Sequence, residues 1–173
     1  MMSANTPLLL ILLLIAVNSC NDGDDAADNQ SAKPVVPFIA YARQQAYPHD
    51  TTIFTEGLVY HDNKLFESGG SPPELPFTKS VIGYNDLQDG RFIPKVEIDK
   101  SKYFGEGIVF LNDKLYQLTY KNQTGFVYDA KTFKKTGEFT YKNAEGWGLT
   151  TDGKSIIMSD GTAKLTYLNP ETM

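Results

Sequence analysis

The sequence is poor in the residues that build covalent cross-links and metal sites, with one cysteine and two histidines among 173 residues. So few of these side chains cannot supply a disulfide framework or a closed structural zinc site. Basic clusters are also absent, and a net charge of −5 gives no electrostatic footprint for a nucleic-acid partner. There is no phosphate loop, nucleophile elbow or metal-spaced cluster, so we predict neither a metal nor a cofactor.

The chain does contain ten tyrosines, ten phenylalanines and many β-branched residues that alternate with polar ones. Aromatic and β-branched residues favour strands, and a period of two indicates strands with one buried face. The composition therefore predicts an all-β protein.

Residues 1–20 indicate an export signal with a lipidation site. Residues 8–17 form an apolar run that is too short to cross a bilayer but suits the core of a signal peptide. The run ends at Val17-Asn18-Ser19-Cys20, which resembles the lipobox of bacterial lipoproteins. We expect lipidation of Cys20 and an exported, membrane-anchored protein on the periplasmic or cell-surface side. Residues 1–7 lack the usual Lys or Arg, and the alternative is a cleavable secretory signal followed by an ordinary Cys20.

Residues 21–37 are polar and rich in aspartate. Such a segment buries too little apolar area to offset its ordering entropy, so it predicts a flexible tether. An acidic run behind a lipidated cysteine resembles some surface-export signals. The equally open alternative is a solvated linker that carries no targeting signal.

From residue 38 onward the chain repeats, and this is its most informative property. Three similar segments begin with Glu-Gly pairs at Glu56, Glu106 and Glu145, separated by 50 and 39 residues. Intervals of about 40–50 residues are typical of propeller blades. In the second repeat, alternation and turn residues predict four strands, over residues 107–111, 114–120, 125–129 and 136–141. Four short antiparallel strands make one blade of a β-propeller.

The third repeat contributes only three predicted strands, over residues 147–150, 154–159 and 164–168. Residues 38–44 predict a leading strand of the kind that completes the last blade of a propeller. A closed propeller needs at least about four blades. An open sheet is the alternative, but it would leave two unprotected edges. We therefore expect residues 38–173 to be a partial propeller domain, roughly the first three blades, that is inactive on its own.

Six short motifs together resemble the plant-type glutaminyl-peptide cyclotransferases of plants and bacteria, the glutamine cyclotransferase family. The motifs are Tyr47-Pro48-His49-Asp50, Phe54-Thr55-Glu56-Gly57-Leu58, Phe104-Gly105-Glu106-Gly107, Leu115-Tyr116-Gln117-Leu118-Thr119-Tyr120, Glu145-Gly146-Trp147-Gly148-Leu149-Thr150-Thr151-Asp152-Gly153-Lys154 and Met158-Ser159-Asp160-Gly161. The resemblance implies a five-bladed propeller with no cofactor. It also implies a transferase that converts the N-terminal glutamine of peptides or proteins into pyroglutamate and releases ammonia.

The resemblance also assigns roles to four residues. It implies that Glu106 is the catalytic general acid and base and that Trp147 lines the substrate site. Two positions depart from the family pattern, since Glu56 stands where glutamine is usual and Tyr120 where another tryptophan is frequent. Both are weaker candidates for substrate contacts. The family's Asn, Lys and further Trp are expected beyond Met173.

Each of these roles has a structural alternative. From its repeat position alone, Glu106 would only form hydrogen bonds between blades, and Trp147 would pack between them. For the protein as a whole the rival interpretation is a non-catalytic propeller that binds a ligand or a partner. We expect a monomer with peptide substrates, no nucleic-acid partner, and membrane contact through the lipid alone.

Overall fold

The computed structural model describes residues 36–173, and this part of the chain contains strands but no helix. All of its strands lie within the compact unit Arg43–Met173. They are β1 (Phe54–His61), β2 (Lys64–Gly70), β3 (Val81–Asn85), β4 (Phe92–Glu97), β5 (Gly105–Leu111), β6 (Lys114–Thr119), β7 (Thr124–Asp129), β8 (Lys135–Thr140), β9 (Leu149–Thr151), β10 (Ile156–Met158) and β11 (Thr166–Leu168). The all-β prediction is confirmed. Residues 36–173 therefore include no helix long and apolar enough to span a membrane.

The strands form three antiparallel sheets that follow the three sequence repeats. Each sheet is a simple meander, in the orders β1-β2-β3-β4, β5-β6-β7-β8 and β9-β10-β11. The first strands of the sheets are neighbours, since β5 contacts both β1 and β9. The four strands predicted for the second repeat and the three predicted for the third are confirmed, and the first repeat also forms four strands.

Tight turns fix the register of the first hairpin in two of the sheets. Asp62 and Asn63 join β1 to β2 with φ values of 45° and 58°, and Asn112 and Asp113 join β5 to β6 with 51° and 56°. Two successive positive φ values give the turn twist that matches paired strands, and Asn and Asp tolerate this conformation well. These short polar pairs set which residues face each other along β1–β2 and β5–β6.

Two apolar cores lie on opposite faces of the middle sheet. One contains Ile108 and Leu115 together with Phe66 and Ile82 of the first sheet. The other contains the next residues along the same strands, Val109 and Tyr116, and packs them with Ile156 and Met158 of the third sheet. Successive side chains of a strand point to opposite faces. The consecutive apolar residues of β5 and β6 therefore bury both faces of the middle sheet, whereas the composition predicted strands with one buried face.

One predicted element is absent. Residues 38–44 form no strand, and the first strand begins only at Phe54. A strand needs a neighbour for its backbone N–H and C=O groups, and no described strand pairs with this segment. The prediction of a strand here is therefore wrong for this structure. The predicted signal, the lipidation site at Cys20 and most of the tether lie outside the described residues.

Candidate active site

A cavity of about 630 Å³ opens where β1 and β5 begin and where β6 and β10 end. Its volume suits a small ligand, and most of its lining is aromatic or apolar. The lining residues are Phe54, Glu56, Pro72, Pro73, Phe104, Glu106, Tyr120, Trp147, Gly148 and Ser159. The four residues that sequence reasoning selected, Glu56, Glu106, Tyr120 and Trp147, are all among them.

Glu56 and Glu106 line the cavity, and each lies at a break in regular strand pairing, at equivalent positions of the neighbouring strands β1 and β5. In β1 the pairing with β2 shifts between Thr55 and Gly57, and in β5 the pairing with β6 shifts between Gly105 and Ile108. Each glutamate therefore lies within a β-bulge. Bulges interrupt the regular alternation of side chains and re-aim them, and they are frequent beside active sites.

The glycine after each glutamate allows neighbouring sheets to approach closely. The N–H of Gly107 donates a hydrogen bond to the carbonyl oxygen of Trp147 at 2.8 Å. A Cβ atom at Gly107 would lie 2.4 Å from that oxygen and 2.6 Å from the nitrogen of Leu149, so a larger residue would have to displace this backbone. On the other side, Ser68 Oγ donates to the carbonyl oxygen of Glu106 at 2.6 Å. The Glu-Gly repeat thus combines a side chain in the cavity with a contact between sheets.

Glu106 is the most strongly perturbed acid of the cavity. Only 6% of the residue is exposed, and burial raises the pKa of its carboxyl group to about 8. The negative charges of Glu56 and Glu145 add smaller increases to this pKa. Burial also raises the pKa of Glu56. The site therefore holds a carboxyl group that exchanges a proton near neutral pH.

Trp147 forms part of the cavity wall while 44% of its surface remains exposed. Its indole N–H donates a hydrogen bond to Glu145 Oε2 at 2.9 Å, and Glu145 Oε1 lies 3.5 Å from Lys121 Nζ. The hydrogen bond from Trp147 is the main reason that the pKa of Glu145 is lowered. Glu145 is therefore an ionised partner of Trp147 and does not line the cavity.

Aromatic rings cover the rest of the wall. Phe104 lies between Phe54 and Tyr120, with ring centroids 6.3 Å and 5.9 Å away. The Nζ atom of Lys121 lies 4.5 Å from the centroid of the Tyr120 ring. These rings and Trp147 form an apolar wall around two acids, which keeps the raised pKa of Glu106 in place.

Several lining residues were not selected from the sequence. Phe54 and Phe104 each precede a glutamate by two positions, so the pattern Phe-x-Glu-Gly occurs in the first two repeats and could have revealed them. Pro72 and Pro73 lie in the loop between β2 and β3, and no local sequence pattern indicates that this loop reaches the cavity. Ser159 follows the short strand β10, and its role is visible only in three dimensions.

The histidines are engaged away from the cavity. His49 Nε2 lies 2.9 Å from the buried carboxylate of Glu67, and His61 stacks on Phe110 with ring centroids 3.9 Å apart. Within residues 36–173, no three His, Cys, Asp or Glu side chains are grouped in a way that would hold a metal ion. The described side chains that line the cavity can therefore exchange protons with a ligand and make apolar contacts with it.

Comparison with known proteins identifies the family of the chain. Residues 11–173 match the glutamine cyclotransferase family. The chain belongs to this family. A glutaminyl-peptide cyclotransferase of Arabidopsis thaliana is 40% identical over 128 residues, which are 73% of this chain and 38% of that protein. The crystal structure of Myxococcus xanthus glutaminyl cyclase matches with a TM-score of 0.60 and 30% identity, over 72% of this chain and 50% of that one. The chain thus spans half or less of the length of these two relatives.

Proposed function

We propose that the protein is a glutaminyl-peptide cyclotransferase, an acyltransferase that converts the N-terminal glutamine of peptides or proteins into pyroglutamate and releases ammonia. The observation that carries the proposal is the buried carboxyl group of Glu106, with a pKa of about 8, inside an aromatic cavity. Two relatives that bear the name of this activity support it.

The reaction needs one proton to move between two nitrogen atoms of the same substrate. The α-amine attacks the side-chain amide carbon, a C–N bond forms, and the C–N bond to the amide nitrogen breaks. The attacking nitrogen loses one proton, and the departing nitrogen gains one and leaves as ammonia. Both reacting groups belong to one molecule, so the site gains most by holding the ring-closing conformation.

Glu106 suits this proton transfer because its pKa matches that of the attacking group. A free α-amine has a pKa of about 7.7–8.0, close to the value of about 8 for Glu106. Proton transfer between the carboxyl group and the amine therefore changes the free energy little, and part of the amine is neutral and able to attack. The acid form of Glu106 donates to the departing nitrogen, and the resulting carboxylate accepts the proton from the attacking nitrogen. The side chain ends in the state in which it began.

The remaining lining residues shape the pocket around the folded substrate. The flat indole of Trp147 and the ring of Tyr120 contact the methylene groups of the glutamine side chain and exclude water. The charge of Glu56 adds to the increase in the pKa of Glu106 that burial causes, and it attracts the positively charged α-amine before reaction. We also propose that the three sheets are blades of a five-bladed propeller, whose closed ring would protect their edges.

We propose further that the protein is exported and anchored by a lipid at Cys20, and acts as a monomer on secreted peptides or proteins. The proposal rests on the apolar run over residues 8–17 and on the only cysteine of the sequence, at the end of the lipobox-like motif. Nucleic acid plays no part in it.

The activity is tested with the protein expressed to the full length of its gene. We expect the purified protein to release ammonia and a pyroglutamyl product in equal amounts from a dipeptide that begins with glutamine. The same dipeptide with an acetylated α-amine is the matched control and should release nothing, because its nitrogen cannot attack. A folded protein that produces no ammonia from the free dipeptide would refute the proposal and favour a binding module.

A further inference from the structure

The turn after β10 lies against Trp147 and is itself tightly fixed. Asp160 accepts hydrogen bonds from the backbone N–H of Thr162 at 3.0 Å and from the side-chain amide of Asn143 at 2.7 Å. Gly161, which lies between Asp160 and Thr162 in the chain, has a φ of 78°. Glycine adopts this left-handed conformation without steric cost, and the two hydrogen bonds to Asp160 fix the turn beside it.

Backbone hydrogen bonds join this turn to the segment that carries the indole. The N–H of Trp147 donates to the carbonyl oxygen of Ser159, and the N–H of Ser159 donates to the carbonyl oxygen of Gly148, both at 3.0 Å. The N–H of Gly148 donates to Ser159 Oγ at 3.0 Å. Three bonds thus fix the main chain of Trp147 in register with Ser159.

Gly161 also makes a direct contact with the indole ring. A Cβ atom at Gly161 would lie 2.6 Å from Cζ2 and 2.8 Å from Cη2 of Trp147. The absence of a side chain therefore lets the ring approach the turn closely. The glycine at 153 has a similar φ of 88°, but a Cβ atom there would have no neighbour within 4 Å. The two glycines share a backbone conformation and differ in the contact with Trp147.

A hydrogen bond to Glu145 also constrains the indole ring of Trp147. Glu145 Oε2 accepts the indole N–H at 2.9 Å, and Lys121 lies 3.5 Å from the other carboxylate oxygen. A half-exposed tryptophan would otherwise exchange between rotamers at the edge of the cavity. Contact with Gly161 on one side and a hydrogen bond to Glu145 on the other select one orientation.

We propose that Gly161 and Glu145 are positioning residues that hold the Trp147 indole in place as the wall of the cavity. The consequence for substrate rests on the function proposed above. A wall fixed before binding reduces the entropy that the complex must lose, so the substrate finds its ring-closing shape at lower cost. Neither residue needs to touch the substrate.

The test compares Gly161→Ala with Gly153→Ala in the protein expressed to the full length of its gene. Subtracting the fluorescence spectrum of the Trp147→Phe protein isolates the signal of this one indole. In Gly161→Ala the methyl group displaces the ring toward solvent, so we expect an emission shift to longer wavelength and faster quenching by iodide. The kcat/KM for a glutamine-initiated dipeptide should fall about 2- to 10-fold. Gly153→Ala has the same backbone cost and should leave both readouts unchanged.

Glu145→Ala provides a second variant that does not depend on how Gly161→Ala folds. It removes the acceptor of the indole N–H at the protein surface, and the Trp147 spectrum should move in the same direction. An unchanged Trp147 signal in Glu145→Ala and in folded Gly161→Ala would overturn the proposal. If the signal moves in both variants but the unmodified protein releases no ammonia, the positioning role stands and the proposed function fails.

Discussion

Replacing Glu106 with glutamine should make the protein more stable at alkaline pH, although it removes the residue central to the proposed reaction. The pKa of the carboxyl group rises from 4.5 to about 8 on folding, chiefly because of burial. Below pH 4.5 the group is protonated in both states, and no penalty applies. As the pH rises from 4.5 to 8, the unfolded chain ionises first, so the native protein loses stability over this range.

The size of the effect follows from the change in pKa. One pKa unit corresponds to about 1.36 kcal/mol, so the full change would cost up to about 5 kcal/mol above pH 8. The open mouth of the cavity lets water reach the ionised carboxylate, and we therefore expect a measured cost of about 2–3 kcal/mol. Glutamine has nearly the same shape and no charge, so Glu106→Gln should remove this cost.

The assay is urea unfolding of both proteins at pH 5, 7 and 9. The stability of Glu106→Gln relative to the unmodified protein should rise by about 2–3 kcal/mol from pH 5 to pH 9. Glu97→Gln is the matched control, because Glu97 is exposed and pairs with Lys79 at 3.0 Å. Its effect should stay within about 1 kcal/mol at every pH. A constant difference between Glu106→Gln and the unmodified protein would refute the burial argument.

Three further predictions concern other parts of the molecule. Glu56→Gln removes a negative charge beside Glu106, so the pKa of Glu106 in a carboxyl NMR titration should fall, and an unchanged value would show that the two groups do not interact. Gly107→Ala should cost about 1–3 kcal/mol in urea unfolding, because its Cβ atom overlaps the backbone of Trp147. Gly137→Ala, whose Cβ atom would meet only Val127 at 4.0 Å, should cost far less, and equal losses would contradict the packing argument. Cys20→Ser should abolish incorporation of an alkyne-labelled fatty acid in a bacterial host, and labelling that persists would exclude this site.

The strands could be predicted from the sequence because their determinants are local. Consecutive apolar residues supply both buried faces of β5 and β6, and the Asn112–Asp113 turn fixes their register. The Glu-Gly repeat marks Glu56 and Glu106 as equivalent positions in neighbouring strands, but only the resemblance to the family selected them as site residues. Sequence motifs placed Tyr120 and Trp147 beside them.

The features that sequence reasoning missed depend on contacts between distant segments. Pro72 and Pro73 lie in the loop between β2 and β3, and only tertiary packing brings them to the cavity. The contact of Gly161 with Trp147 joins two segments through a turn whose sequence resembles any other Asp-Gly turn. The predicted strand over residues 38–44 failed for the same reason, because a strand exists only where a partner offers its backbone.

The most direct test of the account is the turnover of a glutamine-initiated dipeptide by Glu106→Gln at saturating substrate. General acid–base catalysis contributes about 10²–10⁴-fold to a rate. We therefore predict that kcat falls by at least about 10²-fold, while Glu97→Gln retains the activity of the unmodified protein. A folded Glu106→Gln protein that keeps its kcat would contradict the claim that this carboxyl group moves the proton.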